Sequence, residues 1–135
     1  MAKEGGLGWS VASVDDAAGS AKAIRNDFTS VQFQTPRAVW DVTGLDKSAI
    51  ERILLLADMS VDFDGVFNDA TDRAHDVFKT VPSTSVNRTV TLTVSGQTLA
   101  CECLFTDYSL NRSDSGELTF KAPGVLADGA VPTWA

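Results

Sequence analysis

The sequence has few of the residues that most active sites require. It contains one histidine, His75, and two cysteines, Cys101 and Cys103, among 135 residues. A general base needs an oriented partner and a nucleophile, and the pattern around His75 supplies neither. The two cysteines lie two apart in a predicted strand, which disfavours a disulfide, and no second Cys pair completes a zinc site. We therefore expect two buried thiols and no metal or other cofactor.

Basic side chains are also in deficit, with 11 Lys and Arg against 18 Asp and Glu and a net charge of -7. They are spread nearly evenly along the chain, whereas affinity for nucleic acid comes from clustered Lys and Arg. Glycine-rich phosphate loops and nucleophile elbows are missing. The longest apolar run, AIERILLLADM, is too short and too charged to span a bilayer, so no membrane insertion is expected. An enzyme is the weaker interpretation.

What the sequence does contain is alternation of apolar and polar residues. Residues 88–105 alternate on both sides of Ser95-Gly96, which predicts a β-hairpin. Its inward side chains are expected to be Val90, Leu92, Val94, Leu99, Cys101, Cys103 and Phe105. The outward side chains include Thr91, Thr93 and Glu102. The same alternation predicts strands over 9–14, 28–33, 37–43 and 59–67, with a break at Pro36 because proline cannot donate to a ladder.

One segment has a helical period instead. Ile50, Ile53, Leu54 and Ala57 follow i, i+3, i+4, i+7 spacing, and Ser48 with Glu51 forms a capping-box pattern. This predicts a helix over about 48–58 that packs on a sheet.

A second, shorter helical stretch is expected within 68–81, where Asn68 or Asp69 could provide the cap. The chain length suits one domain, 1–135, with a flexible N-terminus over 1–8 and an extended apolar C-terminal segment over 123–135. The predicted fold is mainly β or α+β. It is a β-sandwich or partly open barrel of two packed sheets with one flanking α-helix.

Three stretches of the sequence resemble a known family: DVTGLDKSAIERILLL, GVFN and KTVPST. They resemble the small tail tube (major tail) proteins of long-tailed bacteriophages, particularly those of actinobacterial hosts. The similarity runs from about Gly8 to the C-terminus, in length as well as in the order of the elements. These are structural stretches without a catalytic signature.

The resemblance implies a virion structural protein, assembled in the cytoplasm of a bacterial host and located in the tail. Subunits of such proteins form hexameric rings that stack into a hollow tube, and their strands combine into one barrel around the lumen. The implied partners are further copies of the chain, a tape-measure protein, tail terminator or tail tip proteins, and genomic DNA that passes without specific binding. Catalysis and cofactors are not expected.

A lumen wall must be wet yet hold DNA weakly, which favours small hydroxyls and acidic side chains. The candidate lumen or inter-subunit residues are Asp62, Asp64, Thr91, Thr93 and Glu102. The candidate inter-ring contacts are Trp9, Val131 and Trp134. The sequence alone does not decide which strand face lines the lumen.

Three other interpretations remain open at this point. The chain could form a closed ring, as a tail terminator or head–tail joining protein does. It could be a small β-sandwich module for a sugar or peptide, with Trp9, Trp40 and Trp134 as aromatic platforms. It could be an enzyme that uses the Asp62/Asp64 pair on a metal, although alternating carboxylates are usually the wet face of a strand.

Overall fold

Antiparallel strands account for about half of the chain in the computed structural model, which describes residues 3 and 5–135. Met1, Ala2 and Glu4, part of the predicted flexible N-terminus, lie outside the described residues. The elements are β1 (Trp9–Asp15), β2 (Ala21–Ala23), β3 (Phe28–Gln34), β4 (Arg37–Asp41), β5 (Arg52–Ala57), β6 (Ser60–Val66), α1 (Ala74–Phe78), β7 (Arg88–Val94), β8 (Gln97–Phe105), β9 (Ser109–Arg112) and β10 (Leu118–Leu126). Within the described part, no helix is long and apolar enough to cross a bilayer.

Eight of the strands form one curled sheet in the order β2-β1-β7-β8-β10-β6-β3, with β9 paired to β10. Strands β1, β7 and β8 and strands β3, β6 and β10 enclose a common core, because their inward side chains belong to one buried cluster. The rings of Trp9 on β1 and Phe33 on β3 meet at 6.2 Å where the sheet closes on itself. The predicted mainly β, sandwich-like fold is confirmed.

The hairpin predicted over residues 88–105 is present as β7 and β8 in the expected register. Leu92 pairs with Leu99, and both side chains are buried. Ser95 and Gly96 have φ angles of 50° and 81°, so the two-residue turn lies in the left-handed region that tight hairpins require. The alternation of the sequence therefore placed this hairpin's inward and outward faces correctly.

The helix predicted over 48–58 is wrong. Residues 52–57 form strand β5, which pairs with β4 in a separate two-stranded sheet. Long-range pairing with β4 overrides the local helical period, as tertiary context commonly does. The flanking helix is α1, five residues long, and it lies in the stretch where the shorter helix was expected.

The sequence predicted that Asn68 or Asp69 would cap α1. In the structure, Asp27 holds the start of this helix instead. The buried Asp27 carboxylate accepts hydrogen bonds from the Ala74 backbone N–H at 2.9 Å and from the Asn68 side-chain amide at 2.7 Å. The partner is 47 residues away in sequence, beyond the reach of any local capping pattern. This contact anchors the helix to the end of the sheet where β3 begins.

Arg88 is a buried cation, only 2% exposed. Its guanidinium donates to the carbonyl oxygens of Val77 (2.8 Å) and Asp15 (3.1 Å) and to the Thr80 hydroxyl (2.8 Å). Burial lowers the pKa of Arg88. The side chain therefore ties the end of α1 to β1 through carbonyl acceptors.

The two cysteines are free and buried, as predicted. The Sγ atom of Cys103 lies 3.7 Å from the Sδ atom of Met59 in the core. Burial raises the pKa of the Cys103 thiol to about 12. Because the thiolate is the reactive form, Cys103 is chemically quiet in the folded chain.

The raised pKa predicts that stability falls in alkali. An unfolded chain ionises this thiol near its ordinary value of 9.0, whereas the folded chain keeps the proton up to about 12. Between these values the unfolded state binds fewer protons, so the free energy of unfolding should fall by up to about 1.4 kcal/mol per pH unit. Urea titrations of the wild-type chain and Cys103→Val at pH 8 to 10 in reducing buffer measure this. Equal pH slopes for the two chains would contradict it.

Candidate assembly surfaces

A two-stranded arm, residues 37–57, extends the β3–β6 ladder beyond the core. The pairs Gln34–Ser60 on β3/β6 and Arg37–Ala57 on β4/β5 have one common register, so the ribbon continues through the break at Pro36. The Asp58 N–H donates to the Pro36 carbonyl at 3.1 Å across that break. At about 3.3 Å per residue, the strands of the arm project roughly 17 Å.

Both faces of the arm are apolar and exposed. Val39 pairs with Leu54 on one face, and Trp40 pairs with Ile53 on the other. The exposed fractions are 58% for Trp40, 55% for Leu54 and 90% for Leu56. A two-stranded ribbon is marginal in water, and one that displays apolar side chains on both faces calls for cover on both sides.

A clasp of hydrogen bonds closes the β4–β5 ladder at the end farther from the core. The Thr43 hydroxyl donates to the Asp41 carboxylate at 2.6 Å and accepts from the Glu51 backbone N–H at 2.8 Å. The hydrogen bond to Thr43 lowers the pKa of Asp41. Beyond the clasp, Leu45 and Ile50 are exposed at the tip. The clasp presents these two apolar side chains at the far end of the arm.

An open apolar groove of about 780 Å³ runs along the root of the arm. It is lined by Arg37, Ala38, residues 54–57 and Val131. The Arg37 guanidinium is held by two hydrogen bonds to the Leu55 carbonyl, at 2.8 and 3.0 Å, and so leaves the groove apolar. Val131, one of the predicted inter-ring contacts, thus belongs to the same surface as the arm.

The five predicted lumen or interface residues lie on two different faces. Asp62 and Asp64 point outward from β6, on one side of the core. Thr91, Thr93 and Glu102 point outward from β7 and β8, on the other side. One wall cannot contain all five, so the structure divides the predicted set into an acidic face and a hydroxyl face.

The acidic face is built by β3, β6 and β10. Asp62 pairs with Gln32, and Asp64 pairs with Ser30 and Lys121. Lys121 Nζ lies 3.8 Å from the Asp64 carboxylate and is itself largely exposed. A shallow depression joins Asp62 and Asp64 to Asp107. Within residues 3 and 5–135, no group of three or more Asp, Glu, His or Cys is arranged to hold a metal ion.

The hydroxyl face is tied up internally. The Thr93 and Thr98 hydroxyls hydrogen-bond each other at 3.0 Å across the hairpin. The Thr89 hydroxyl donates to the Glu102 carboxylate. These side chains satisfy one another's hydrogen bonds, and the face also carries the carboxylate of Glu102.

The C-terminal segment docks on its own subunit. Ala135 and Thr98 exchange backbone hydrogen bonds of 2.8 and 2.9 Å, and Trp134 forms a β-bridge with Leu99. The Trp134 ring packs on Phe33 at 5.8 Å and remains 46% exposed. Trp134 therefore presents an apolar surface next to Trp9, which contacts the same Phe33 ring.

His75 has a structural contact. Its Nδ1 atom lies 3.1 Å from the Tyr108 hydroxyl, and its ring packs against Phe67. Burial raises the pKa of Tyr108. The pair fastens α1 to the segment that leads into β9.

The sheet ends in two open edges on the side of the acidic face. Among the described residues, β3 pairs only with β6, and β9 pairs only with β10. The strands β3, β6, β10 and β9 therefore form a four-stranded unit whose outer edges can accept further strands.

The arm is the exposed apolar surface that sequence reasoning missed. Four consecutive apolar residues, 53–56, fall in β5, where successive side chains alternate between faces. An uninterrupted apolar run in a strand indicates cover on both faces, and this signal was available.

No family model and no curated protein matches the sequence. Solved structures do match. A chain from the tail of an empty GTA particle, determined with helical refinement and C6 symmetry, has a TM-score of 0.72 and 17% identity over 98% of each chain. A chain from the virion of a native gene transfer agent (GTA) particle has a TM-score of 0.69 and 16% identity over 98% of this chain and 99% of that one. At such low sequence identities, these similarities establish a shared fold and nothing about function. The predicted resemblance to tail proteins is confirmed at the level of the fold. The narrower similarity to the proteins of actinobacterial phages stays a prediction. The chain has the fold of a virion tail protein.

Proposed function

We propose that the chain is a tail tube subunit that assembles into stacked hexameric rings around a DNA-conducting lumen. The observation that carries the proposal is the arm, whose two apolar faces are uncovered in the single chain. Exposed apolar surface of this kind marks protein interfaces. Copies of the same chain in a ring and in the next ring would cover both faces.

The two open edges support a closed ring. If the β3 edge of one copy pairs with the β9 edge of the next, six copies of the four-stranded unit give 24 strands. With strands about 4.8 Å apart and tilted by about 40°, such a barrel has a backbone diameter of roughly 50 Å. After side chains are allowed for, the channel would be about 40 Å wide, which exceeds the width of a DNA duplex. Closure would also remove the exposed edges.

The acidic face then lines the lumen, because it lies on the strands that carry the open edges. Asp62, Asp64 and Asp107 outnumber the lone Lys121 there. An excess of negative charge repels phosphate, so genomic DNA and a tape-measure protein could occupy the channel without tight DNA binding. The hydroxyl face, with Thr91, Thr93 and Glu102, would lie on the outside of the tube.

The arm would make the axial contact with the next ring. It projects along the strand direction beyond the core, and its root shares an apolar groove with Val131. Trp134 adds exposed apolar surface next to Trp9. The axial interface repeats head to tail, so it extends until a tail terminator or tail tip protein occupies it.

Negative-stain electron microscopy of the purified, concentrated protein tests the assembly. We expect tubes or stacked rings with six-fold end views. Single rings that never stack would support a tail terminator or head–tail joining protein instead. A chain that stays monomeric at high concentration would contradict both.

Thiol labelling tests which face lines the lumen. Asp62→Cys and Thr91→Cys place one accessible thiol on each face, and the native cysteines are buried. A maleimide on a polymer too wide for the channel should label both variants as monomers. In assembled tubes it should label Thr91→Cys and spare Asp62→Cys. The reverse pattern would place the hydroxyl face in the lumen.

A further inference from the structure

We infer that Leu110 of one copy inserts into a groove at the β3 edge of the next copy in the same ring. This groove, lined by Trp9, Phe28 and Val31, is named the β3 groove. The inference rests on the proposed function and deepens it, because it names the side chain and the surface that would join neighbouring subunits. It is carried by complementary features at opposite edges of the four-stranded unit.

The β9 edge carries an uncovered apolar side chain on the core side of the sheet. Leu110 pairs with Phe120, whose side chain is buried, so both side chains lie on the face that looks toward the core. Leu110 itself is 48% exposed, and all four residues of β9 are exposed. Leu118, two residues before Phe120 on the same face of β10, is 38% exposed. This apolar overhang calls for cover from outside the chain.

The β3 edge carries an unfilled groove. Within the described residues β1 and β3 do not pair, and a groove of about 260 Å³ lies between them. Partly buried side chains that pack on the core line or flank it, namely Trp9, Phe28, Val31 and Phe33. The volume is several times the ~30 Å³ that a water molecule occupies in the liquid. The β3 groove therefore has room for a large apolar side chain.

Arg25 closes the β1 side of the β3 groove. Its guanidinium donates to the carbonyl oxygens of Trp9 and Ser10 at 3.1 and 2.9 Å. These two carbonyls of the β1 edge are thereby bonded within the chain. The edge that stays open to an incoming strand is β3.

Strand direction fixes how the two edges meet. Neighbouring strands in the order β3-β6-β10-β9 are all antiparallel, so in a ring β9 of one copy meets β3 of the next in the antiparallel sense. Paired side chains share one face of a sheet, and a slip of one residue would reverse the faces. The residue opposite Leu110 is therefore one of the core-facing residues of β3, which are Phe28, Val31 and Phe33.

The charges at the two edges are complementary in this orientation. The chain leaves β9 at Arg112 and turns through residues 113–117, so this turn of one copy lies beyond the start of β3 in the next, toward Arg25. The turn carries Asp114 and Glu117. Among the described residues, neither carboxylate forms an ion pair, and Arg25 forms none either. Two carboxylates on one copy would thus face a cation on the next, which favours this partner and this orientation.

Disulfide trapping tests the contact. Leu110→Cys is combined in one chain with Phe28→Cys, Val31→Cys or Phe33→Cys, and the assembled tubes are oxidised. Directly opposed residues of an antiparallel pair lie within disulfide range. We expect at least one combination to give covalent oligomers up to the hexamer on a non-reducing gel. Asn111→Cys with the same three partners places the two thiols on opposite faces of the sheet and should give none.

Electron microscopy of the same samples separates this inference from the proposed function. Normal tubes that give no covalent oligomers with any Leu110→Cys combination would overturn the inference and leave the proposed function standing. Covalent oligomers with Asn111→Cys would overturn it as well. A wild-type chain that forms no tubes would remove both.

A charge variant tests the same contact and leaves the β3 groove untouched. Leu110→Asp should raise the critical concentration for tube formation on the order of 100-fold, because its carboxylate would enter an apolar groove without a partner. Asn111→Asp adds the same charge on the other face of β9 and should stay within about threefold of the wild type. Both positions are exposed in the single chain, so the subunit should fold normally in each variant. Equal critical concentrations for the two variants would overturn the inference.

Discussion

Replacing Leu54 with aspartate is expected to stop tube formation and to leave the body of the subunit folded. Leu54 is 55% exposed on the arm, where it pairs with Val39. In an assembled tube the new carboxylate would be covered without a partner, at a cost of about 3 kcal/mol or more, on the order of a 100-fold loss in association. Exposed substitutions change folding stability by only about 0.5 kcal/mol. Sedimentation velocity, microscopy and a denaturant titration measure the two effects.

Two further variants make the test specific. Ile53→Asp carries the same change on the other face of the arm and should also block assembly. Ser85→Asp adds the same charge at an exposed site outside the arm and should assemble normally. Assembly by Ile53→Asp alone would mean that only one face is covered. Normal assembly by both arm variants would remove the arm from the interface.

Gly65→Ala should destabilise the subunit by about 3 kcal/mol or more. A Cβ atom at this position would lie 2.1 Å from the Asp27 carbonyl oxygen and 2.7 Å from the Phe120 ring. The carbonyl belongs to the backbone, and the ring is buried in the core, so neither can move freely. Overpacking of a tight site is among the few causes of so large a loss.

Gly6→Ala is the matched control for this prediction. Gly6 has open space around its Cβ position and no positive φ. The variant should therefore unfold within about 0.5 kcal/mol of the wild type in the same urea titration. If Gly65→Ala were equally neutral, β6 would not be held as close to Asp27 as the structure shows.

Strands whose faces differ in polarity were predictable from the sequence. Thr91 and Leu92 illustrate why: in a sheet that covers a core on one side only, alternation reports directly which side chain is buried. Non-local contacts were not predictable. Asp27 caps a helix 47 residues away, and Arg88 is buried because Val77 and Asp15 offer it carbonyl oxygens. The sequence did carry one signal for the burial of Arg88: along β7 it has the same alternation as the inward residues Val90 and Leu92.

The alternation of polar and apolar residues identified Asp62 and Thr91 as side chains that point away from the core. Only the sheet topology shows that they lie on opposite sides of it. Their place in a lumen or an interface stays a prediction.

Within the arm, the strand predicted over 37–43 is present as β4, whereas residues 48–58 were predicted as a helix from the spacing of their apolar side chains and contain β5, which pairs only with β4 among the described residues. The spacing of apolar residues along a segment predicts its secondary structure when one face of that segment packs on the protein's own core. It does not predict the secondary structure of a segment that packs on nothing in its own chain.

The shared register of the arm and the β3–β6 ladder has a mechanical consequence. Strand β5 continues into β6, and β6 is joined to β10 over seven residue pairs. A pull along the arm loads the β6–β10 ladder in shear, because the force runs parallel to the two strands. All of the hydrogen bonds between β6 and β10 then share the load and would have to break together. A string of such subunits would resist stretching along its axis far better than it resists being peeled apart sideways.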